Sequence, residues 1–209
     1  MKIWANNIKN LTDARYFAAY EVAQIGFCLD QTDTENCIDA TLMATIAEWV
    51  QGVEIAARIS DATSATEAHL LSEKLHLDTL VVGLFYPLQH LSNAQNVIQE
   101  IVIDGFIDWE MIRAHAETYQ TSLAFHLNFT KNNINWAELK AAKYLDAVRD
   151  ICANAPVWIQ IDIAPSDIID LQKTLNPHGF VVTGGNEERV GFKSFEDVED
   201  TIEAILELG

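Results

Sequence analysis

Short apolar segments alternate with helical segments along nearly the whole chain, and this alternation constrains the fold more than any other feature. Eight segments are typical of strands: residues 2–8, 24–30, 53–60, 77–84, 98–104, 121–128, 156–162 and 178–183. Helical segments lie between them; 88–95 is the weakest of these, and Ser64 with Glu67 has capping-box spacing. Without a linker rich in Pro, Gly or Ser, the pattern predicts a single α/β domain over residues 1–209.

Two closures of a parallel sheet are compatible with eight strands. One is a (β/α)8 TIM barrel, for which 209 residues is near the short end of the usual length. The other is an open, doubly wound sheet. Periodicity does not distinguish them, but the sequence contains neither G-x-G-x-x-G nor a Walker A motif. Their absence weakens the case for a nucleotide-binding open sheet.

The composition is that of an acidic globular protein. Asp and Glu total 31 against 13 Lys and Arg, for a net charge of −18. Nucleic acid and anionic membranes require a basic face, so we expect neither as a partner. The three cysteines form no C-x-x-C pair, and we therefore expect neither a disulfide framework nor a metal site. We find no signal-peptide pattern and no apolar run near 18 residues, which predicts a cytoplasmic protein.

Both ends of the chain resemble one enzyme family. The opening NIKNLTDARYFAAYEVAQIGFCL is similar to the start of the phosphoribosylanthranilate isomerases, with their Cys-Gly-Ile-Thr corner, Leu-x-Asp-Ala and Gly-Phe strand. The end GFVVTGGNEERVGFKSFEDVEDTIEAI resembles their last strand, Ser-Gly-Val-Glu loop, Gly-x-Lys and final helix. The resemblance covers the whole chain, and its motifs concentrate in about the first and last 30 residues. It implies a (β/α)8 barrel of the tryptophan biosynthesis family, with no cofactor.

The family's reaction, an Amadori aldose–ketose isomerisation, needs a general base and a general acid. In the family these are a cysteine at the end of strand 1 and an aspartate at the end of strand 6. The resemblance places Asn6 and Asn128 at these two positions, and Asn7 at the glycine that follows the cysteine. An amide transfers no proton near pH 7, and loss of one such group typically costs about 10²–10⁴-fold in rate. We therefore expect the ancestral activity to be lost or very weak, as in a pseudoenzyme.

The family's phosphate-binding loops are only partly kept. Its Gly-Gly loop after strand 7 falls on Ile161 and Asp162, where a carboxylate would repel phosphate. The loop after strand 8 matches best, and its glycines allow backbone N–H groups to approach an anion. The resemblance thus implies a phosphorylated small molecule as ligand, held by Thr183, Gly184, Gly185 and Asn186. The expected oligomeric state is a monomer or a homodimer.

Strand alternation predicts which side chains face the barrel interior, because residues two apart share a face. If Asn128 faces inward, so does His126; the matching sets on strands 3 and 7 contain Glu54 with Arg58 and Gln160 with Asp162. One interpretation is a self-satisfied polar network that pairs Glu54 with Arg58 and His126 with a neighbouring amide. The other is a ligand site that uses Arg58, His126, Asn128 and Asp162.

Three functional hypotheses remain open from the sequence. The chain is an isomerase in which His126 and Asp162, the plausible proton-transfer pair, substitute for the lost groups. Alternatively, it is an enzyme for another sugar phosphate on the same scaffold, or a non-catalytic binding or regulatory protein.

Overall fold

The computed structural model describes residues 1–91, 96–118, 123–184, 187–189, 192–193 and 195–208. Its eight parallel strands form a closed barrel in the order in which they occur along the chain. They are β1 Lys2–Asn6, β2 Gln24–Cys28, β3 Glu54–Arg58, β4 Thr79–Gly83, β5 Asn96–Val102, β6 Leu123–Asn128, β7 Val157–Gln160 and β8 Gly179–Thr183. A short antiparallel pair, β9 Glu187–Arg189 and β10 Phe192–Lys193, follows β8. The (β/α)8 prediction is confirmed.

Helices follow every strand of the barrel except β4 in the described residues. They are α1 Leu11–Ala19, α2 Ala40–Ala47, α3 Ala65–Leu75, α4 Trp109–Thr118, α5 Trp136–Ala141, α6 Leu145–Asn154, α7 Ile168–Leu175 and α8 Glu196–Leu206. The capping box predicted at α3 is present, since the Ser64 side chain accepts from the Glu67 backbone and the Glu67 carboxylate accepts from the Ser64 backbone. No helix in the described part of the chain is long and apolar enough to cross a membrane.

The predicted helix over 88–95 is wrong in its described part. Only one 3-10 turn forms there, at Leu88–His90, and Leu91 is already extended. β5 begins at Asn96, two residues before the predicted start of the fifth strand at 98. The turn ends there because Leu91 has ψ 141°, a β-region value that does not continue a helix.

Chain packing forms two compact units, one of which comprises Ile3–Gln99 with Val182–Gly184. In this unit β2 pairs in parallel with both β1 and β3, and β3 pairs with β4. All five residues of β2 and of β4 are buried, as expected for strands covered on both faces. The register sets Cys28 beside Arg58, so the two strands end together.

The other unit comprises Met1–Lys2, Glu100–Val181 and Gly185–Gly209. Here β7 pairs in parallel with β6 and β8, and the register sets His126 beside Trp158 and Asn128 beside Gln160. The apolar residues of β6 that alternate with these polar ones, Phe125 and Leu127, are fully buried. The assignment of residues 1–209 to a single domain stays a prediction.

Candidate functional site

The strand-to-helix corner after β1 consists of two asparagines. Asn7 has φ 57°, a left-handed conformation that glycine and asparagine adopt most easily among residues. The backbone at this corner therefore explains why an asparagine can stand where the resembling family has glycine. Asn6 is buried at the end of β1, and its side chain lies over Gly26 of β2, where an added Cβ would clash with the Asn6 Oδ1 atom. Gly26 is thus the residue that leaves room for the Asn6 amide.

Arg58, predicted to pair with Glu54 or to bind a ligand, pairs with Asp30. Its Nη1 donates to Asp30 Oδ2 at 3.0 Å, and Asp30 Oδ1 accepts from the backbone and hydroxyl of Thr32 at 3.0 and 2.7 Å. The predicted pairing with Glu54 is wrong, because residues four apart on a strand lie about 13 Å apart along it. Glu54 is exposed at the start of β3. Arg58 is consequently the counter-ion of a buried carboxylate.

Two thiols lie near this ion pair at the end of β2. Cys28 is buried, and its backbone pairs with that of Cys37 in an isolated parallel β-bridge. Both cysteines are free thiols. Burial raises the pKa of the Cys28 thiol, and burial with the nearby carboxylates of Asp30 and Asp33 raises that of Cys37. Raised pKa values leave little thiolate at neutral pH, so neither cysteine is an activated nucleophile.

A buried polar network joins side chains of β5, β6 and β7 in the unit that contains Glu100–Val181. Asn128 Nδ2 donates to Glu100 Oε1 at 2.9 Å, and Asn128 Oδ1 accepts from the Thr130 hydroxyl at 3.0 Å. Gln160 Nε2 donates to the same hydroxyl oxygen at 3.0 Å, and Gln160 Oε1 lies 2.9 Å from His126 Nε2. The prediction that His126 pairs with a neighbouring amide agrees with this arrangement.

A backbone amide sets the direction of every hydrogen bond in this network. The Lys131 N–H donates to Asn128 Oδ1 at 3.3 Å, so the other end of that side chain must be the NH₂ group that faces Glu100. Because Asn128 Oδ1 only accepts, the Thr130 hydroxyl donates to it and accepts from Gln160 Nε2. The carbonyl oxygen of Gln160 then faces His126, whose Nε2 must carry a hydrogen.

The same logic identifies the ring nitrogen of His126 that faces Glu100. Nε2–H is committed to Gln160, which leaves Nδ1 on the side of the carboxyl group. Nδ1 lies 3.9 Å from Glu100 Oε1, and Lys131 Nζ lies 4.0 Å from that same oxygen. The Glu100 side chain is 5% exposed and that of His126 is 0% exposed, whereas that of Lys131 is 40% exposed. The site therefore holds one buried carboxyl group between a buried imidazole and a solvated ammonium.

The other predicted site residues differ in what surrounds them. Asp162 is exposed after β7, where its backbone carbonyl accepts from Trp136 N at 3.0 Å, while His126 is fully buried. Thr183 is exposed and Gly184 is half-buried at the end of β8. Gly185 and Asn186 lie outside the described residues.

Sequence reasoning missed Asp30, Glu100 and Thr130. Asp30 and Glu100 each carry a carboxylate inside a predicted apolar strand, and that mismatch is the signal that could have singled them out. Thr130 had no such signal, because a threonine after a strand is ordinary in any loop. Among the described residues, no group of three or more His, Cys, Asp or Glu side chains could hold a metal ion.

Known structures share this architecture at low sequence identity. Phosphoribosyl anthranilate isomerase from Thermus thermophilus aligns over 100% of both chains with a TM-score of 0.74 and 17% identity. The fold is that of the phosphoribosylanthranilate isomerases. The isomerase in complex with reduced 1-(o-carboxyphenylamino)-1-deoxyribulose 5-phosphate aligns over 99% of each chain, with TM-score 0.74 and 14% identity.

A different enzyme also aligns along its full length. The structure of 3-hexulose-6-phosphate synthase covers 98% of this chain and 100% of its own, with a TM-score of 0.63 and 14% identity. No protein-family model and no curated protein sequence matches the chain. At these identities the similarity establishes the barrel, and function has to be argued from the site itself.

Proposed function

We propose that this protein is a diverged phosphoribosylanthranilate isomerase-type barrel that binds a phosphorylated small molecule and whose ancestral isomerase activity is lost or very weak. The isomerase fold and the resemblance of the two chain ends support descent from that family. The proposed site comprises Asn6 and Asn128 at the family's base and acid positions, with Thr183, Gly184, Gly185 and Asn186 at the phosphate. We also propose a cytoplasmic location and a monomer or homodimer.

The surroundings of Asn128 carry this proposal. Its Nδ2 donates to Glu100, and its Oδ1 accepts from both the Thr130 hydroxyl and the Lys131 backbone. An amide in this position connects three neighbouring groups by hydrogen bonds and transfers no proton at neutral pH. Position 128 therefore serves to organise the buried network, and it does not supply the general acid that the Amadori rearrangement requires.

An active isomerase that relies on His126 and Asp162 receives less support. His126 is fully buried and its Nε2 is committed to Gln160, whereas Asp162 is exposed to solvent. A general acid or base has to come within about 3 Å of the reacting atom. A phosphorylated ligand is supported by the complex of the structurally similar isomerase with a deoxyribulose 5-phosphate compound.

Turnover of phosphoribosylanthranilate by the purified protein, followed through the loss of substrate fluorescence, tests the proposal. We expect no turnover by the native chain, and a gain in the Asn6→Cys/Asn128→Asp variant if the phosphate site is retained. Binding of the reduced deoxyribulose 5-phosphate compound, measured by calorimetry, reports on that site separately. A native rate of about 1 s⁻¹ or more, which is ordinary for enzymes, would refute the loss of activity. If the reduced deoxyribulose 5-phosphate compound binds neither the native protein nor the double variant, the proposal of a phosphorylated ligand is refuted.

A further inference from the structure

A carboxyl group is present beside the position where the isomerase family carries its acid, but on a neighbouring strand. Asn128 Nδ2 lies 2.9 Å from Glu100 Oε1. Aspartate and asparagine have the same shape, so an aspartate at 128 would place a carboxyl oxygen where this Nδ2 lies. The Glu100 oxygen is thus one hydrogen-bond length from the place of the missing acid.

The groups around Glu100 suit a carboxyl group that gives up and regains a proton. His126 Nδ1 lies 3.9 Å from Glu100 Oε1, about 1 Å beyond hydrogen-bond length. Together the two buried groups can hold one proton without net charge. Lys131 Nζ, 4.0 Å from the same oxygen, compensates the negative charge that remains once that proton leaves.

We propose that Glu100 is the catalytic acid of this barrel, a carboxyl group moved from β6 to β5, with Asn128 and His126 as positioning residues. This inference rests on the proposed function, because it assigns the acid for the same phosphorylated sugar substrate. The Glu100 O–H bond breaks and its proton passes to the ring oxygen of the ribosylamine. The C–O bond at the anomeric carbon breaks with its electron pair on that oxygen, while the lone pair of the amine nitrogen forms a C=N bond to the same carbon. The carboxylate regains its proton from water.

Under this proposal, the family's general acid has been replaced by Glu100, whereas its general base at position 6 has not been replaced. With Glu100 in place, the chain lacks only the base at position 6. The single change Asn6→Cys should then restore turnover of phosphoribosylanthranilate without any change at position 128. The expected gain is about 10²–10⁴-fold over the native chain, which is the usual contribution of one proton-transfer group.

Removal of the Glu100 carboxyl group provides the decisive test in the Asn6→Cys background. Glu100→Gln should remove the restored activity by about 10²–10⁴-fold. Adding Asn128→Asp to Glu100→Gln exchanges the two groups, so that the carboxyl group stands at position 128 and the amide at position 100. This variant should recover turnover. Glu54→Gln makes the same chemical change at an exposed glutamate and should leave the rate unchanged. The loss in Glu100→Gln is the result that bears on Glu100, because Asn128→Asp restores the family's own acid position whatever Glu100 does.

Two turnover results would overturn the assignment while leaving the proposed function intact. One is a restored activity that Glu100→Gln does not alter. The other is a silent Asn6→Cys protein beside an active Asn6→Cys/Asn128→Asp protein. If none of the variants turns over or binds the reduced deoxyribulose 5-phosphate compound, the proposed function fails instead.

Nuclear magnetic resonance of the His126 ring tests the placement of Glu100 against this ring independently of any substrate. We expect the Nε2–H form in the native protein. In the Glu100→Gln protein, the nitrogen resonance of His126 Nδ1 should shift, because an amide replaces the carboxyl group that faces this atom. An unchanged Nδ1 resonance in a folded Glu100→Gln protein would overturn the placement of Glu100 against His126.

Discussion

Substitution of Asn128 by Asp should place two carboxyl groups in contact inside the protein. The Asn128 Nδ2 atom lies 2.9 Å from Glu100 Oε1, so the new aspartate oxygen would face the glutamate oxygen at that distance. Two buried carboxylates this close cannot both ionise, and the pair should titrate in two separated steps. Lys131, whose side chain is 40% exposed, relieves only part of the repulsion.

The expected cost follows from the upper of the two steps. Repulsion between the two carboxyl groups raises the pKa of this step above the ordinary value for a glutamate. The loss at pH 7 should be about 1–3 kcal/mol, the usual cost of a buried polar group that is not compensated. A folded-state pKa raised above the unfolded one costs nothing below about pH 4, where both states are protonated. The loss should grow from about pH 4 and level off above the raised pKa.

Urea unfolding followed by tryptophan fluorescence, at several pH values between 4 and 8, measures this loss for the native protein and the variant. Asn135→Asp is the matched control, because Asn135 is the N-cap of α5 and an aspartate there accepts the same bond from Glu138 N. We expect it to change stability by less than about 0.5 kcal/mol. If Asn128→Asp lowers the free energy of unfolding equally little at pH 7, or lowers it by the same amount at every pH, the side chains at positions 100 and 128 are not in contact.

Three further predictions concern the rest of the chain. Arg58→Met removes the charged partner of buried Asp30 and should cost about 2–3 kcal/mol in urea unfolding, toward the low end for a buried pair because the arginine side chain is partly exposed; a loss below about 1 kcal/mol would contradict this account. Burial raises the pKa of Cys152 to about 12, so iodoacetamide at pH 8 should leave this thiol unlabelled until the protein unfolds, as mass spectrometry would show. The hydrogen bonds from Ser64 lower the pKa of Glu67, so Ser64→Ala should raise that pKa in an NMR titration, whereas an unshifted midpoint would rule out the capping box.

The sequence carried enough information to predict the barrel because its signals are local and repeated. The strands are short apolar runs and most connections have helical spacing, so all eight strands were predictable. The Ser64–Glu67 capping box was likewise predictable, since both partners lie within one turn. In its described part, residues 88–91, the predicted helix was wrong, and this stretch has no side-chain cap.

Partners that are distant in sequence were harder to predict. Arg58 could be seen to need a counter-ion, but Asp30 is 28 residues away, and only the pairing of β2 with β3 brings the ends of these strands together. Similarly, Asn128 reaches Glu100 on another strand, 28 residues earlier. Alternation along one strand predicts which face of the sheet a side chain occupies. It does not predict the register with adjacent strands, which determines the residues beside that side chain.

By itself, the sequence determined the element order, the burial of the strands and the amides at positions 6 and 128, because these follow from residue type and spacing along one chain. The tertiary structure decided which atoms those amides meet. The Lys131 N–H sets the direction of the hydrogen bonds through Asn128, and the nearness of β5 gives Asn128 a carboxylate partner. Hydrogen bonds depend on distance and direction within a fraction of an ångström, and such precision arises only when strands from different parts of the chain pack together.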